Sequence, residues 1–504
     1  MMAPGARAAV ASGHERVTGA ACGILRAGGN AFDAAVAAGF ASAVAEPALT
    51  SLGGGGFLLA RPAEGPPVLF DFFVDTPGRG LASRDLDPHL VPVTVEFPGS
   101  SQVFHVGLGS AAVPGNLRGL LQVHRRLGRM PLADVLSPAV DMAREGVALN
   151  EHQAYFLDLL RPIKTLTEKG RSLYEAGGRY VALGDRLPNP ELAAFIDTLP
   201  RDGDRELYEG EIARAIARDM REGAGLLTEA DLAAYRVVER EPLRVAYRGH
   251  DLLTNPPPSF GGSLLGLSLR LLEAAGPPPP RFGDTTHLLR LAAAMRETDR
   301  LRESETGDGV APEHWQESVA RLRRASGGTT HVSVCDAAGN AASMTTSNGE
   351  GSGYFAPGSG VMLNNMMGED DLHPEGFHAS PPGLRVASMM APSLLLRGGQ
   401  PRLVLGSGGS KRIRTALLQA ICNAVDFDMD VRALVDSPRM HWDGECLQVE
   451  PGFDDAHLAP LRQQAPVNVW DVCDVYFGGV NAVSPGSGAG AGDPRRGGHA
   501  SGLD

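Results

Sequence analysis

The stretch SGGTTHVSVCD, residues 326–336, sets a pair of glycines directly before a run of alternating polar and apolar residues. Alternation with a period of two predicts a β-strand over residues 329–336. The segment 337–340 contains a glycine and an asparagine and reads as a turn, so residues 341–347 are predicted to return as a second strand. The sequence therefore places a glycine junction at the start of a predicted hairpin.

The peptide bond between Gly328 and Thr329 could support chemistry of its own. Glycine adopts backbone conformations that other residues avoid, and a threonine hydroxyl beside such a peptide can attack the preceding carbonyl carbon. Cleavage would leave Thr329 as a new N-terminus, whose α-amino group has a pKa near neutrality and can act as general base for its own hydroxyl. Taken alone, the same residues are more typical of an ordinary turn.

Composition narrows the class of protein. The chain has 504 residues, of which 43% are hydrophobic and 21% charged, as is ordinary for a folded soluble protein. Its formal net charge of −13 argues against nucleic acid or an anionic membrane surface as a partner. The start MMAPGARAAVASG lacks the apolar run of a signal peptide, and the five cysteines form no C-x-x-C pair. We therefore expect a cytoplasmic protein with reduced thiols.

Several motifs that would indicate a bound cofactor do not occur in the sequence. The glycines at 53–56 do not continue into G-x-G-x-x-G, and residues 406–411 do not fit G-x-x-x-x-G-K-[ST]. The sequence contains no H-E-x-x-H pair and no G-x-S-x-G elbow. We therefore expect neither a metal nor an organic cofactor.

Helical periodicity dominates the first two-thirds of the chain, and strand patterns dominate the last third. Helices are predicted near residues 15–27, 31–45, 116–127, 212–220, 264–272 and 285–302. A short strand at 403–405 runs into the glycines of 406–409, and the tail 484–501 is predicted to be a mobile surface segment. Helices packed against sheets indicate an α+β layered domain.

The order of several longer blocks resembles the γ-glutamyltransferase family (γ-glutamyltranspeptidases), self-processing N-terminal-nucleophile hydrolases. The blocks are AGGNAFDAAVAAGFASAVAEP with SLGGGGFLL (27–59), AVPGNLRGLLQVHRRLGRMPL (112–132), LYEGEIARAIA (207–217), GLLTEADLAAYR (225–236), YRGHDLLTNPPPSFGG (247–262), TTHVSVCDAAGNAASMTTSN (329–348), GVMLNNMMGEDD (360–371), GSGGSKRIRT (406–415) and SPRMHWDGECLQVEPGF (437–453). Together they extend the resemblance along nearly the whole chain. The resemblance implies a four-layer αββα sandwich. It also implies self-cleavage into a large subunit, 1–328, and a small subunit, 329–504, which stay together as one intertwined unit.

The resemblance assigns roles to the reacting residues. Thr329 would be both the self-processing residue and the nucleophile, with cleavage between Gly328 and Thr329. Ser347 stands where the family has a second hydroxyl, eighteen positions after the nucleophile. Gly408 and Gly409 resemble the glycine pair whose backbone N–H groups form the oxyanion hole, a role suited to donors at a turn before a helix.

The resemblance also implies a set of substrate contacts. The residues of this set are Asn348, Asn365, Glu369, Asp370 and Ser388, the two acids belonging to an acidic run that ends at Asp371. Asn348 takes the role of a family asparagine only if one gap is allowed; without the gap that position is Gly349. For His331, next to the nucleophile, we expect a role in orienting the strand.

Some positions depart from the family pattern. Phe73 stands where the family has an arginine that binds the substrate α-carboxylate, and a phenylalanine cannot replace the two charge-assisted hydrogen bonds of an arginine. Met389 replaces the second serine of a serine pair, and Met366 occupies a usual Gln or Glu position. Arg385 is one candidate to substitute for the missing arginine.

Three functions therefore stay open. The first is γ-glutamyl transfer or hydrolysis of glutathione-like amides through an acyl-threonine intermediate, with water, an amino acid or a peptide as acceptor. The second is an amidase or acylase of the same fold that acts on another acyl group, such as a cephalosporin side chain. The third is a scaffold that binds ligand without turnover. All three imply a small-molecule ligand, and none implies nucleic acid or a membrane.

Overall fold

Two β-sheets packed face to face set the architecture of the chain in its computed structural model, which describes residues 7–82, 87–97, 100–305, 328–373 and 376–503. The strands in these parts are β1 (Ala8–Ser12), β2 (Gly55–Arg61), β3 (Val68–Phe72), β4 (Val91–Phe97), β5 (Ser100–Val106), β6 (Val147–Ala148), β7 (Glu175–Ala176), β8 (Arg179–Tyr180), β9 (Arg186–Leu187), β10 (Val238–Arg240), β11 (Leu243–Tyr247), β12 (His250–Thr254), β13 (Thr329–Cys335), β14 (Ala341–Ser347), β15 (Phe355–Ala356), β16 (Val361–Met362), β17 (Ser393–Arg397), β18 (Gln400–Gly408), β19 (Met440–Trp442), β20 (Leu447–Val449), β21 (Val467–Val469), β22 (Gly479–Ser484), β23 (Ala489–Ala491) and β24 (His499–Leu503). The first sheet has the order β10-β3-β2-β14-β13-β1-β24, and the second β11-β12-β17-β18-β22-β23.

Helices cover the outer face of each sheet. The α-helices of the described residues are α1 (Glu15–Arg26), α2 (Ala31–Ala45), α3 (Asn116–Leu127), α4 (Leu132–Glu145), α5 (Glu151–Leu159), α6 (Arg161–Lys164), α7 (Glu168–Tyr174), α8 (Pro190–Asp202), α9 (Arg205–Tyr208), α10 (Glu211–Glu222), α11 (Glu229–Ala234), α12 (Phe260–Ala274), α13 (Thr285–Glu305), α14 (Arg412–Asp426), α15 (Val431–Asp436) and α16 (Asp455–Arg462). Helices α1 to α4 pack with the first sheet and α12 to α14 with the second. The result is the predicted four-layer αββα arrangement of an α+β protein.

Helix α2 shows why this layering forms. The Asn30 side chain accepts hydrogen bonds from the first turn, and the Asp33 carboxylate accepts one from the Asn30 N–H, which closes a capping box. Every residue of Ala31–Ala45 is buried, and most of them are small. A helix that is apolar on all sides must lie inside the protein, so α2 becomes a central layer between the sheet and the outer helices.

Strand β13 shows how the alternating pattern separates two faces. Val332 and Val334 belong to the same apolar cluster as helix α2. The Ser333 side chain points the other way and donates to the carbonyl of Asn481 in the second sheet, at 3.0 Å. Because side chains alternate along a strand, Thr329 and His331 also face the space between the two sheets.

The structure corrects the prediction for the tail. Residues 484–501 are not a loose surface segment: they contain β23, part of β24 and a 3-10 turn at Pro494–Arg496. Strand β24 pairs with β1, and the Arg495 guanidinium is buried against the carboxylates of Glu450 and Asp493. The glycine-rich composition suggested mobility. The sequence did not show what holds the tail, because β1 and Glu450 lie far away in the chain. No helix of the described residues is long and apolar enough to cross a membrane.

Candidate active site

Thr329 lies at the first position of β13, directly opposite Ser347 on β14. Both side chains are buried, and the Thr329 hydroxyl donates to Ser347 Oγ at 3.4 Å. The Ser347 hydroxyl in turn donates to the carbonyl oxygen of Gly328, and Ser347 Oγ accepts from the N–H of Gly349 at 3.0 Å. The structure therefore connects the predicted nucleophile, through one hydroxyl, to the carbonyl that it would attack.

The first residue of the predicted glycine pair lies against Thr329. A Cβ built on Gly408, the last residue of β18, would lie 2.3 Å from the carbonyl oxygen of Thr329, so this position requires glycine. Gly409 adopts a φ of +121°, and its carbonyl accepts from the N–H of Arg412 at the start of α14. We call Gly328, Thr329, Ser347, Gly408 and Gly409 the nucleophile cluster. The oxyanion role of the two glycines stays a prediction, and the position of Gly408 beside Thr329 supports it.

Arg496 reaches the same turn from the tail, and the sequence analysis missed it. Its Nε and Nη2 donate to the carbonyl of Val475, and its guanidinium lies over the Phe156 ring. Within the described chain Nη1 has no hydrogen-bond partner, and it would lie 3.5 Å from a Cβ on Gly408. Burial lowers the pKa of Arg496 to about 10 and the charge of Arg412 adds to this effect, yet the side chain is still cationic at neutral pH.

The two positions considered for the family asparagine, Asn348 and Gly349, directly follow β14. Gly349 has a φ of +58°, and a Cβ there would lie 2.1 Å from both Asn365 Oδ1 and Glu369 Oε1. The neighbouring Asn348 is buried, with Nδ2 donating to the carbonyl of Leu363 at 3.3 Å. Its Oδ1 has no hydrogen-bond partner among the described residues. The structure therefore brings Asn348, Asn365 and Glu369 together around Gly349, two residues after Ser347.

Asn365 organises the loop that follows the hairpin. Its Oδ1 accepts from the N–H groups of Glu350 and Gly351, at 2.9 Å and 3.2 Å. Its Nδ2 donates to Glu350 Oε2 at 3.3 Å. Both ends of this amide are thus engaged by the protein itself, and the predicted substrate contact of Asn365 stays a prediction.

Glu350 is a second residue that the sequence analysis missed. It is fully buried, and burial raises its pKa to about 7, while hydrogen bonds from Asn365 and the charge of Lys164 oppose this rise. The Lys164 ammonium, also fully buried, donates to the carbonyls of Glu350 and Pro47, and burial lowers its pKa to about 8. A glutamate placed between two glycines directly after the predicted hairpin was the available signal.

Glu369, Asp370 and Ser388 complete the predicted substrate contacts. Glu369 and Asp370 are half-buried, and Asp370 begins a 3-10 turn, Asp370–Leu372. Ser388 is buried: its Oγ accepts from the N–H of Met390, and its carbonyl accepts from the Ser259 hydroxyl. The hydrogen bonds that the structure gives Ser388 do not include the nucleophile cluster. The side chain of Asp371 lies outside the described residues.

Phe73 forms an apolar wall on the nucleophile's face of the sheet. Gly55 pairs directly with Ser347, so their side-chain directions coincide. A Cβ on Gly55 would lie 3.0 Å from Phe73 Cδ2 and 2.9 Å from Val74 Cγ1. The Phe73 ring is buried and stacks on Phe57 with 5.5 Å between centroids. We call Phe57, Phe73 and Val74 the Phe73 wall.

Arg385 is held by other partners. Its Nε lies 3.1 Å from Asp75 Oδ1 and its Nη1 lies 3.6 Å from Asp71 Oδ1. Nη1 also donates to the hydroxyl of Tyr235 at 2.8 Å and to the carbonyl of Phe73. The guanidinium is therefore neutralised by the chain's own carboxylates, which disfavours the substitute role considered for it.

The neighbours of Thr329 on β13 have structural partners. The imidazole of His331 contacts the hydroxyls of Thr345 and Ser333 at 2.8 Å and 3.0 Å, and burial lowers its pKa to about 3. It is therefore neutral and fixes the strand, as expected. The Thr330 hydroxyl donates to Glu46 at 2.9 Å on the opposite face, where burial raises the pKa of Glu46 to about 7.

The described residues contain no group of three or more histidine, cysteine or acidic side chains that could hold a metal ion. The nucleophile cluster contains the hydroxyl of the predicted nucleophile, a second hydroxyl and a glycine turn with backbone N–H groups. These are the parts needed for acyl transfer through an ester on threonine.

Comparison with known proteins agrees with this chemistry. The family model described as Gamma-glutamyltranspeptidase matches residues 18–325 and 311–503. Acylase ACY 1 proenzyme of Pseudomonas sp. (strain SE83) is 34% identical over 96% of this chain and 90% of its own length. Glutathione hydrolase proenzyme of Escherichia coli (strain K12) is 32% identical over 90% of this chain and 84% of its own length.

Solved structures show the same fold. A cephalosporin acylase from Bacillus halodurans superimposes with a TM-score of 0.83 over 100% of this chain and 97% of that one, at 24% identity. The gamma-glutamyltranspeptidase of Helicobacter pylori superimposes with a TM-score of 0.51 over 56% of this chain and 80% of that one, at 31% identity. The fold and the match along nearly the whole sequence lead to one conclusion: this chain is an enzyme of the gamma-glutamyltranspeptidase family, with the N-terminal-nucleophile hydrolase fold.

Proposed function

We propose that the chain cleaves itself between Gly328 and Thr329 into subunits 1–328 and 329–504. Thr329 Oγ attacks the Gly328 carbonyl carbon, the C–N bond breaks, and the hydroxyl proton ends on the Thr329 nitrogen. This step frees the α-amino group of Thr329 and leaves Gly328 as an ester on Thr329 Oγ. Water then hydrolyses the ester, which releases the Gly328 carboxylate and restores the Thr329 hydroxyl. The hydrogen bonds from Thr329 to Ser347 and from Ser347 to the Gly328 carbonyl support this route.

The mature site would act on small amides by the same steps. Thr329 Oγ attacks the amide carbon, its α-amine takes the hydroxyl proton and passes it to the leaving amine, and an acyl-threonine ester remains. Water or an acceptor amine then resolves the ester. The backbone N–H groups of Gly408 and Gly409 would stabilise the oxyanion, aided by the nearby positive charge of Arg496.

For the acyl group we favour an acylase-type substrate, whose binding does not require an arginine to hold an α-carboxylate. The observation that carries this choice is the position of Phe73, whose ring lies beside Gly55, directly across from Ser347. An apolar wall there favours burial of the hydrocarbon part of an acyl chain. Arg385 lies nearby but is paired with Asp71 and Asp75.

A γ-glutamyl donor is the second candidate, and Glu369 favours it. Its carboxylate lies beside Gly349 and Asn365, close to the end of β14. A carboxylate at this position could accept the ammonium of a γ-glutamyl group, as the family resemblance implies. Glutathione hydrolases among the similar proteins keep this candidate open, while an acylase is about as similar.

One panel of substrates separates the candidates. Purified, cleaved protein is assayed with glutathione, γ-glutamyl anilide, glutaryl anilide and butyryl anilide. Turnover of glutaryl or butyryl anilide at least as fast as that of γ-glutamyl anilide supports the acylase. A strong preference for γ-glutamyl anilide supports the second candidate, and no turnover of any amide contradicts both.

A further inference from the structure

Gly328, the residue before the proposed cut, lies between two loops. A Cβ built on it would lie 2.4 Å from the carbonyl oxygen of Gly349, in the loop after β14, and 2.9 Å from that of Ala48, in the loop after α2. The Ser347 hydroxyl donates to the Gly328 carbonyl. We call the space between the carbonyls of Ala48 and Gly349 the Gly328 slot. The fit of Gly328 in this slot depends on how firmly the two loops are held together.

The Lys164 ammonium joins these two loops. Lys164 is the last residue of α6, and its side chain is fully buried. Its Nζ donates to the carbonyl of Pro47 at 3.1 Å and to the carbonyl of Glu350 at 3.0 Å. Pro47 directly precedes Ala48, and Glu350 directly follows Gly349. One side chain therefore ties together the two segments that form the Gly328 slot.

The chemistry of this contact suits a lysine. The acceptors that the structure gives Nζ are the two carbonyls and the sulfur of Met362, at 3.7 Å, and none of the three is a carboxylate. Burial of an ammonium is costly, and the chain contains only three lysines beside 43 arginines. An ammonium can direct its three N–H groups at acceptors on different segments, whereas a guanidinium presents a planar fork. The residue type at position 164 thus fits a bridge between two loops.

We propose that Lys164 is a positioning residue for self-cleavage, whose ammonium holds the two loops of the Gly328 slot around Gly328. The inference rests on the self-processing proposed above. Glycine has more rotational freedom than any other residue, and attack by Thr329 requires one orientation of the Gly328 carbonyl. A direct backbone link between the loops, from the N–H of Asn348 to the carbonyl of Leu49, is longer, at 3.3 Å. Without the ammonium, the Gly328 carbonyl would sample orientations that Thr329 cannot attack.

The charge of Lys164 gives this role a pH dependence. Burial lowers the pKa of Lys164 to about 8, and the charge of Glu350 opposes this shift, while Glu369 lies on the other side of Gly349. Burial raises the pKa of Glu350 to about 7, so this glutamate is already ionised above pH 8 and the lysine is the member of the pair that titrates there. The ammonium is therefore charged at pH 7 and neutral at pH 9.5. Its hold on the two carbonyls should weaken as the pH rises through about 8.

The test follows cleavage of freshly made chains. Wild type, Lys164→Met, Lys164→Arg and Lys169→Met are made in a short cell-free translation pulse and diluted into buffers between pH 7 and 9.5. Conversion to two bands is timed on denaturing gels. At pH 7 we expect Lys164→Met to cleave about ten- to a hundredfold more slowly than wild type, and this ratio should shrink at least about threefold by pH 9.5. The rate of Lys164→Arg relative to wild type should rise over the same range, because a guanidinium keeps its charge.

Lys169→Met is the matched control, because Lys169 lies on the neighbouring helix α7, partly exposed, and pairs with the Glu191 carboxylate. It should cleave within about twofold of wild type at every pH. Unfolding temperatures of Lys164→Met and Lys164→Arg are measured in a Thr329→Ala background, which separates slow cleavage from poor folding.

Three results would overturn the positioning role: cleavage of Lys164→Met within about twofold of wild type, a ratio of these two rates that does not change with pH, or an equal loss in Lys169→Met. If Lys164→Met does not fold, the profile of Lys164→Arg decides, and a constant ratio to wild type between pH 7 and 9.5 would overturn the role. A wild-type chain that stays uncut at every pH would instead overturn the proposed self-processing.

Discussion

The nucleophile cluster and the Phe73 wall face the same space between the two sheets, but they relate differently to the family. In the cluster, hydrogen bonds join Thr329, Ser347 and Gly328, and Gly408 lies against the Thr329 carbonyl. In the wall, an apolar ring fills a position where the family has a charged side chain. Under the roles proposed above, the reaction and the choice of acyl group would reside in separate parts of one site, so the two could change independently.

Replacing the nucleophile should have the largest effect. A Thr329→Ala chain has no hydroxyl to attack the Gly328 carbonyl, so we expect one uncut band and no measurable turnover of any amide. A denaturing gel and the anilide assays check this. Two bands from Thr329→Ala would show that the nucleophile cluster does not carry out the self-cleavage.

A methyl group on the glycine turn should come next. Gly408→Ala places a Cβ 2.3 Å from the Thr329 carbonyl oxygen, so the turn or the nucleophile must move. We expect turnover to fall by about a hundredfold or more, the scale seen when an oxyanion donor is lost. Gly486→Ala is the control, because nothing lies within 4 Å of a Cβ there. Equal activity of the two variants would mean that the turn plays no part.

Loss of the second hydroxyl should be milder. Ser347→Ala removes both the acceptor for Thr329 and the donor to the Gly328 carbonyl. We expect self-cleavage to slow by about ten- to a hundredfold, while Ser347→Thr, which keeps a hydroxyl, should cleave close to the wild-type rate. Timed denaturing gels measure both rates, and an unaffected Ser347→Ala would exclude the hydroxyl relay.

The Phe73 wall should affect the selectivity between acyl groups more than the overall rate of turnover. Phe73→Arg introduces a cation on the nucleophile's face, so the ratio of kcat/KM for glutaryl anilide over butyryl anilide should rise about tenfold. Phe73→Leu keeps an apolar wall and should leave the ratio near its wild-type value. If the ratio is the same in all three proteins, the wall does not contact the acyl chain.

The smallest expected effect concerns stability on the opposite face of β13. Burial raises the folded-state pKa of Glu46 to about 7, so the folded protein loses stability as pH rises from about 4.5 toward 7. Glu46→Gln removes this loss and should stabilise the protein by about 3 kcal/mol at pH 8 relative to pH 4.5. Thermal unfolding of the Thr329→Ala and Glu46→Gln/Thr329→Ala chains at the two pH values measures it. A difference that does not change with pH would contradict the assigned pKa.

The hairpin was predictable because its pattern is local. Strand alternation predicted both β13 and β14 to within one residue, and a short turn then places position 329 opposite position 347. Helices with strong caps, such as α2 after Asn30, were predictable for the same reason. The tail was predicted wrongly, because its composition does not reveal the buried ion pairs that Arg495 makes with Glu450 and Asp493.

The sequence by itself determined the identity and spacing of the residues proposed to react, since both follow from one hairpin and from blocks in the family order. Only the tertiary structure decided what surrounds them. The stacking of the second sheet brings Gly408 to Thr329, pairing through Gly55 brings Phe73 to the same face, and packing of the loop after β14 buries Glu350 against Asn365. Each of these contacts depends on how whole sheets and loops pack. Local propensity does not encode burial or the close approach of distant residues, because both depend on the complete fold.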